Sequence, residues 1–262
     1  MVSNLNHLKN EYDQQGYFIL QNYFTETEIS ALKETVLTFH ETWKADNETF
    51  FEKEAFNSSL ITGTQYLQSQ DRLNLFNFIG SSKMMDIINT IIPNDPAFMN
   101  TQLFFNPQRP QQENFWHRDC QYDHHIEGQK KAIQETQVVH FRVPLFDEPG
   151  MELVPESHKR WDTQEELDVR LARKRKFSSD DLSTGKKIPL KAGDLLVFSA
   201  DMIHRGLYGL NRLAFDTLIF DSTGDFVDYV DDDCLPNEVI LEEITNPAIF
   251  KNTLYLKSLS EC

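Results

Sequence analysis

The sequence predicts a mainly β fold with flanking helices, built as a sandwich, barrel or jelly roll. From Pro96 onward, seven or so short runs of aromatic and β-branched residues alternate with turn residues, which is typical of short strands. The chain also contains 20 Phe, 8 Tyr and 3 Trp residues, and aromatic residues favour strands. With 262 residues and 40% hydrophobic content, it is long enough for a sizeable core, as one elaborated domain or two small ones.

The first part of the chain, residues 1–95, is predicted to be mostly helical. We expect a short strand at residues 16–20 and then a helix, because Thr25 and Glu28 have the spacing of a capping box. Two more helices are expected on either side of a break at Gly80. The helix after the capping box carries apolar residues at helical spacing: Ile29, Leu32, Val36 and Phe39.

Residues 96–222 are predicted to form the β core, interrupted by a basic insertion. Residues 159–191 contain ten Lys or Arg against six Asp or Glu, although the whole chain has a net charge of −16. We interpret residues 159–185 as a partly helical insertion between strands, and residues 223–262 as an acidic tail with a short terminal helix. The strand candidates are AFMNTQLFFN, NFWHRDCQY, TQVVHFRVPLF, MELVP, KKIPL, DLLVFSADMIH and RLAFDTLIF.

The composition also narrows the possible partners and location. A strongly acidic chain repels phosphates, so we expect no nucleic-acid binding. No apolar run reaches 18 residues, and the N-terminal residues lack the apolar segment of a signal peptide, so we expect no membrane partner. The cysteines Cys120, Cys234 and Cys262 lack metal-ligand spacing, and we interpret them as free thiols in the reducing cytoplasm. The oligomeric state stays open.

One strand candidate, NFWHRDCQY, carries a histidine and a carboxylate that point to metal chemistry. His117 and Asp119 are two residues apart, so in a strand their side chains leave the same face. Such a pair alone is more often a surface pair, but His204 follows on another predicted strand. Two imidazoles and one carboxylate form the facial triad of non-haem Fe(II) oxygenases, which leaves three metal positions for a co-substrate and O₂. The absence of Cys ligands argues against structural zinc.

An arginine beyond His204 has the position needed to bind a carboxylate. Arg212 opens the next predicted strand after a hairpin that contains Gly206 and Gly209, and a guanidinium grips a carboxylate with two parallel hydrogen bonds. A keto acid that chelates the metal would direct its far carboxylate towards such a group. Arg205 is the competing candidate, but it directly follows His204 and therefore points to the opposite face of a strand.

These motifs resemble the phytanoyl-CoA dioxygenase family of Fe(II)- and 2-oxoglutarate-dependent oxygenases. The similar segments are EYDQQGYFILQNYFTETEISALK, WHRD, GMELVPESHKRW and LKAGDLLVFSADMIHRG. The resemblance implies a double-stranded β-helix (a cupin-like jelly roll) and a single dioxygenase domain over residues 1–262. It further implies Fe(II) bound by His117, Asp119 and His204, with 2-oxoglutarate held by Arg212. The chain departs from the family at Glu156, where Gly is usual, and at Gly206, where Ser or Asn is frequent.

Four further polar residues are candidates for the site. Gln102 and Asn106 are similar to the Q-x-x-x-N pair of ectoine hydroxylase, in which Asn meets 2-oxoglutarate and Gln meets substrate. The alternative is that both side chains form local hydrogen bonds near a strand end. His140 and Arg142 share one strand face, so they are substrate contacts if that face is the barrel interior and surface residues otherwise.

The predicted function is therefore an Fe(II)-dependent hydroxylase that uses 2-oxoglutarate and O₂, acts on a small metabolite and releases succinate and CO₂. Asp119 favours hydroxylation, because related halogenases replace this carboxylate with a small residue. The insertion is either a solvated helix or a surface that attracts an anionic substrate through Arg170, Arg173, Lys174, Arg175 and Lys176. Two alternatives stay open: a non-catalytic jelly-roll protein that binds a metal or ligand, and a redox-neutral metal enzyme such as a cupin-type isomerase.

Overall fold

The N-terminal part of the computed structural model is largely helical, as predicted. The structure describes residues 2–122, 124–135, 137–222 and 225–260; Cys262, interpreted above as a free thiol, lies outside them. Helix α2 begins after the predicted capping box, in which Glu28 N donates to Thr25 Oγ1 (3.2 Å) and Thr25 N to Glu28 Oε2 (2.7 Å). The elements are α1 (Val2–Gln15), β1 (Tyr17–Leu20), α2 (Glu26–Asp46), α3 (Glu48–Lys53), β2 (Asn57–Ser59), α4 (Ser69–Ile79) and α5 (Ser82–Ile91).

The following part forms two antiparallel sheets, which confirms the mainly β prediction. The larger sheet has the strand order β1-β7-β4-β9-β3-β2, and the smaller one has the order β6-β5-β8. This two-sheet arrangement with outer helices is the architecture of a jelly roll. Its elements are β3 (Ala97–Phe105), α6 (Ile126–Glu135), β4 (Val138–Pro144), β5 (Glu148–Leu153), α7 (Gln164–Arg170), β6 (Lys186–Leu190), β7 (Leu195–Ser199), β8 (His204–Gly206) and β9 (Leu213–Phe220).

The tail also belongs to the packed structure. It contains 3₁₀ turns at Asp225–Tyr229 and Asp232–Cys234, followed by α8 (Glu238–Glu243) and α9 (Ala248–Ser260). Helix α9 lies against β3: Thr253 Oγ1 donates to Phe98 O (2.8 Å), and the rings of Phe250 and Phe98 are 5.2 Å apart. Within the described ranges, no helix is long and apolar enough to cross a membrane.

Apolar packing divides the molecule into layers that position the site. The largest buried cluster joins α1, α2, α4, α5 and α9 to the outer face of the larger sheet. A smaller cluster lies between the sheets and includes Tyr17, Met151, Leu196 and Phe198. Because the central strands β4, β7 and β9 of the larger sheet are buried on both faces, polar side chains that point inward from them need specific partners. Several of these inward-pointing polar side chains form the candidate site.

Two local predictions were wrong. NFWHRDCQY is not a strand: His117 makes a single bridge to His204, and a 3₁₀ turn begins at Asp119. Trp116 instead donates its N–H to Ser178 O (2.8 Å) in the insertion, so no neighbouring strand extends the ladder. The predicted hairpin between His204 and Arg212 is also absent, because β8 pairs with β5 whereas β9 pairs with β3 and β4. The connection therefore crosses from one sheet to the other.

Candidate metal centre

Three side chains converge at the inner end of the smaller sheet. The Nε2 atoms of His117 and His204 lie 3.6 Å and 3.5 Å from Asp119 Oδ1, and one ligand atom from each residue lies within 4.8 Å of the other two. The backbones of the two histidines exchange hydrogen bonds of 2.9 Å in both directions, which brings their rings within 4.2 Å. Two imidazoles and one carboxylate at these distances match the donor set that suits Fe(II).

Backbone carbonyls orient both imidazoles for metal binding. His117 Nδ1 lies 3.1 Å from Phe115 O, and His204 Nδ1 lies 2.9 Å from Met202 O. A carbonyl only accepts hydrogen bonds, so each Nδ1 carries the proton and each Nε2 presents its lone pair to the centre. Partners of this kind on the second ring nitrogen are typical of metal-binding histidines.

The charges of the three residues also suit a metal. Burial lowers the pKa of His117 and lowers that of His204 to about 3, so both rings are neutral at physiological pH. Burial opposes ionisation of Asp119, but the hydrogen bond with His140 and the charge of that ring outweigh burial and lower the pKa of Asp119. Neutral imidazole and ionised carboxylate are the forms in which these side chains bind a metal.

The backbone turn at Asp119 is held by the residue between the ligands. The Arg118 side chain is fully buried and points away from the centre, where it donates to the carbonyls of Ser157 (2.7 Å) and Asp201. Its guanidinium also pairs with Asp162 Oδ1 at 2.8 Å, and Asp162 Oδ2 pairs with Arg170 at 2.8 Å. This role of Arg118 was not predicted from the sequence. The signal that could have indicated it is the charged residue at the variable position of W-H-x-D.

A buried polar network supports Asp119 from below. His140 Nε2 lies 2.8 Å from Asp119 Oδ2, and His140 Nδ1 lies 3.3 Å from Asp216 Oδ2. Arg142 donates to Asp216 Oδ1 (3.1 Å) and, through Nε and Nη2, to Glu148 Oε1 (3.2 and 3.0 Å). His140 and Arg142 thus face the barrel interior, but their side-chain nitrogens already form hydrogen bonds with the carboxylates of Asp119, Asp216 and Glu148. Asp216 and Glu148 were missed, although a carboxylate within RLAFDTLIF indicates a buried partner.

A cavity of about 450 Å³ opens above the three candidate ligands. Arg212 lies in its wall, fully desolvated between the rings of Phe104 and Tyr208 (5.6 and 5.4 Å from the guanidinium carbon). Its Nη1 donates to Phe105 O (3.0 Å), whereas its buried Nε has no hydrogen-bond partner among the described residues. A buried guanidinium with an unused N–H in a cavity wall fits the carboxylate of a keto acid.

The unusual Gly206 is explained by the position of Arg212. A Cβ atom at Gly206 would lie 2.5 Å from Arg212 Nη2, closer than any real contact of that type. A larger residue here, such as the Ser or Asn frequent in the family, would displace the guanidinium. The departure at Gly206 therefore accompanies a particular placement of Arg212.

The competing and secondary candidates lie at different distances from the cavity. Arg205 points to the other side of its strand, where it pairs with Glu152 (2.7 Å) and Asp181 (2.6 Å). Gln102 lines the cavity. Asn106 is not among the lining residues that are described; its amide donates to Leu210 O (2.8 Å) and accepts from Gly209 N (2.8 Å). Asn106 thus holds the turn that precedes Arg212, which is the local role named above as its alternative.

The basic residues of the insertion do not converge on the cavity. Arg170 is buried in the ion pair with Asp162, and Arg160 pairs with Glu166 at 2.7 Å. Lys174 pairs with Asp168 at 3.0 Å on the surface. Arg173, Lys174, Arg175 and Lys176 are exposed and are absent from the described lining of the cavity.

Comparison with solved structures shows the same fold in several proteins that bind or depend on 2-oxoglutarate. EctD from S. alaskensis, crystallised with 2-oxoglutarate and 5-hydroxyectoine, is 13% identical (TM-score 0.59, 82% of this chain and 76% of that chain). HygX from Streptomyces hygroscopicus, with nickel and 2-oxoglutarate bound, is 12% identical (0.59, 82% and 86%). The α-ketoglutarate-dependent epimerase SnoN from nogalamycin biosynthesis is 13% identical (0.54, 85% and 85%).

Sequence comparison gives the family. No curated protein matches the chain. The sequence model of the phytanoyl-CoA dioxygenase family, PhyH, matches residues 12–208. This match spans both sheets up to β8 and includes all three candidate metal ligands. The predicted class of non-haem iron, 2-oxoglutarate-dependent dioxygenase is therefore confirmed, and the chain belongs to the phytanoyl-CoA dioxygenase family.

Proposed function

We propose that this dioxygenase hydroxylates a small metabolite at a centre in which His117, Asp119 and His204 bind Fe(II). The observation that carries the proposal is the convergence of two histidine nitrogens and a carboxylate oxygen beneath a cavity with a buried arginine in its wall. We further propose that residues 1–262 form one catalytic domain and that the protein is cytoplasmic.

The residues of the chain have separate roles in it. Arg212 would hold the far carboxylate of 2-oxoglutarate, because its Nε is buried without a partner and its Nη2 faces the space left by Gly206. His140 would keep Asp119 oriented, since its hydrogen bond to Oδ2 leaves Oδ1 facing both histidines. Asn106 would fix the turn that carries Arg212 into the wall.

When bound, Fe(II) with 2-oxoglutarate and O₂ supplies the oxidation of an unactivated C–H bond, with succinate and CO₂ as co-products. The protein binds and orients the reactants and excludes water from them. Phe104, Phe198 and Leu218 give part of the cavity wall an apolar surface, which helps to keep water from the reactants. The carboxylate of Asp119 favours hydroxylation over halogenation, because it takes the position that a halide would need.

The test is an anaerobic titration of the protein with Fe(II) and 2-oxoglutarate, followed by the visible charge-transfer band of the chelate. We expect a band in the wild type, no band in His204→Ala, and a weaker affinity for 2-oxoglutarate in Arg212→Ala. Arg205→Lys is the control, because that side chain follows His204, points away from the cavity and keeps a positive charge beside Glu152 and Asp181. Its chelate should form as in the wild type.

Oxygen consumption with succinate release then separates the proposed function from its alternatives. An iron-loaded, folded protein that gives no band and no succinate would contradict the proposal and favour a non-catalytic metal-binding jelly roll. Turnover of a substrate without succinate would favour a redox-neutral metal enzyme.

A further inference from the structure

A second chamber adjoins the cavity above the metal centre. Its volume is about 230 Å³, at the small end for sites that bind organic molecules. Gln102, Asp119 and Leu218 line both spaces, so the chamber reaches the candidate metal ligand Asp119, whereas Arg212 belongs to the described lining of the first cavity alone. Its remaining wall is largely apolar and includes Met99, Ala132, Val138 and Phe226.

The chamber continues towards the surface between α6 and the 3₁₀ turn at Asp225–Tyr229. His124, Ala132, Phe226 and Tyr229 line both the chamber and an outer cleft. The outer cleft and the chamber thus lead from the protein surface to Asp119. A substrate has a route to the metal that does not pass Arg212.

One carboxylate in the chamber wall, that of Asp201, is buried and forms no ion pair within the part of the chain that the structure describes. Asp201 is only 6% exposed, and no ion pair joins its carboxylate to a Lys or Arg of the described residues. The carboxylate forms a hydrogen bond with the thiol of Cys120 and is attracted by Arg118, whose guanidinium donates to the Asp201 backbone carbonyl. Burial raises the pKa of Asp201 to about 6. A buried carboxylate is costly unless a hydrogen-bond donor or a cation reaches it.

The charged side chains of the chamber favour one class of ligand. Its described lining contains Asp119 and Asp201, whereas no Lys or Arg belongs to it. An anionic group here would face two carboxylates, and the exposed basic residues of the insertion lie elsewhere. An ammonium group would instead neutralise Asp201, while an apolar body would fill the space between Met99, Val138 and Phe226.

We propose that this chamber is the substrate site, and that the substrate is a compact, mostly apolar amine whose ammonium group binds Asp201. The inference rests on the proposed function and gives it a substrate class. It replaces the anionic substrate considered from the sequence, because the chamber supplies acceptors and no cation. The C–H bond to be oxidised would then lie on the part of the amine that faces Asp119.

The experiment measures binding of three probes with one carbon skeleton: cyclohexylmethylamine, cyclohexylmethanol and cyclohexanecarboxylate. Ligand-observed NMR on the Zn(II)- and 2-oxoglutarate-loaded protein gives their affinities without turnover. We expect the amine to bind best and the carboxylate worst. Asp201→Asn, which keeps the shape but removes the charge, should weaken amine binding at least about tenfold. Asp86→Asn removes one charge on the exposed face of α5 and should change nothing.

Further variants and the chelate band keep the result interpretable. Ala132→Leu narrows the chamber and should weaken all three probes, whatever their charge. Preferred binding of the carboxylate, unchanged amine binding in Asp201→Asn, or no amine binding at millimolar concentration would overturn the proposal. If the Fe(II)–2-oxoglutarate band still forms in those cases, only the substrate class is wrong; if the band is absent in the wild type, the proposed function fails.

Discussion

Replacement of Asp162 by Asn tests whether the insertion holds the metal-binding turn in place. Asp162 and the guanidinium groups of Arg118 and Arg170 are fully buried, and Asp162 is in contact with both at 2.8 Å. Arg118 lies between the candidate ligands His117 and Asp119. Asp162→Asn keeps the shape of the side chain but leaves two buried cations without their shared counter-ion.

The size of the effect follows from these contacts. Breaking a buried ion pair by removal of one partner costs about 3–5 kcal/mol, because the remaining charge stays desolvated. This loss is a large part of the free energy of unfolding of a typical domain, which is roughly 5–15 kcal/mol. For a chain of this size, each kcal/mol lowers Tm by about 2–4 °C, so we expect a decrease of roughly 6–20 °C. Affinity for Fe(II) should also fall, since the turn at Asp119 loses its anchor.

Thermal unfolding of the metal-free protein and a Co(II) titration measure the two effects. The matched control is Asp232→Asn, which breaks the 2.7 Å ion pair with Lys257; its Asp side chain is 81% exposed. That variant should lose no more than about 1 kcal/mol and bind Co(II) normally. If Asp162→Asn unfolds within the range of the control, or if it is much less stable but binds Co(II) as well as the wild type, the insertion does not support the site as described.

Two further predictions concern Arg212 and His40. In Gly206→Ala, the new Cβ would lie 2.5 Å from Arg212 Nη2 and push the guanidinium aside. The Kd for 2-oxoglutarate should therefore rise at least about tenfold, while Fe(II) binding stays unchanged. A titration in which the variant and the wild type bind 2-oxoglutarate equally well would contradict this. His40 is packed against Phe105, and burial lowers its pKa to about 4. Because the unfolded chain takes up a proton near pH 6.5 whereas the folded ring stays neutral down to about pH 4, this histidine makes the fold progressively less stable as pH falls from about 6.5 to 4. His40→Phe should therefore remove up to about 3 kcal/mol of acid sensitivity between pH 7 and 4; urea unfolding with the same pH dependence in both proteins would refute it.

Much of the fold could be predicted because local patterns determine it. The capping box at Thr25, the break at Gly80 and most strand candidates depend on neighbouring residues, and the structure has these elements near the expected positions. The juxtaposition of His117, Asp119 and His204 could be predicted as well, since motif and order along the chain indicated it. The backbone conformation that brings these three residues together could not be predicted, because a 3₁₀ turn stands where the sequence predicts a strand.

The parts that were missed depend on distant partners. Arg118 is held by Asp162 and by carbonyls of residues 157 and 201, and no periodicity in the sequence connects these positions. The composition of the insertion predicted a solvated helix or a surface that attracts an anionic substrate, but Arg160 and Arg170 form structural ion pairs. Charge counting could not separate paired from exposed arginines. Asn106 shows the same limit, because its spacing fits a ligand contact and its hydrogen bonds serve a turn.

The two arginines of the cavity wall show how pairing within the chain divides their roles. Arg142 donates from Nε, Nη1 and Nη2 to the carboxylates of Glu148 and Asp216 at 3.0–3.2 Å, so each guanidinium nitrogen is already used. Arg212 reaches Glu148 only at 3.9 Å, and its Nε stays without a hydrogen bond. A carboxylate that enters the cavity gains little from Arg142, whose charge is already balanced, and much from Arg212. The network that holds His140 and Asp119 therefore also leaves Arg212 as the guanidinium available to a co-substrate.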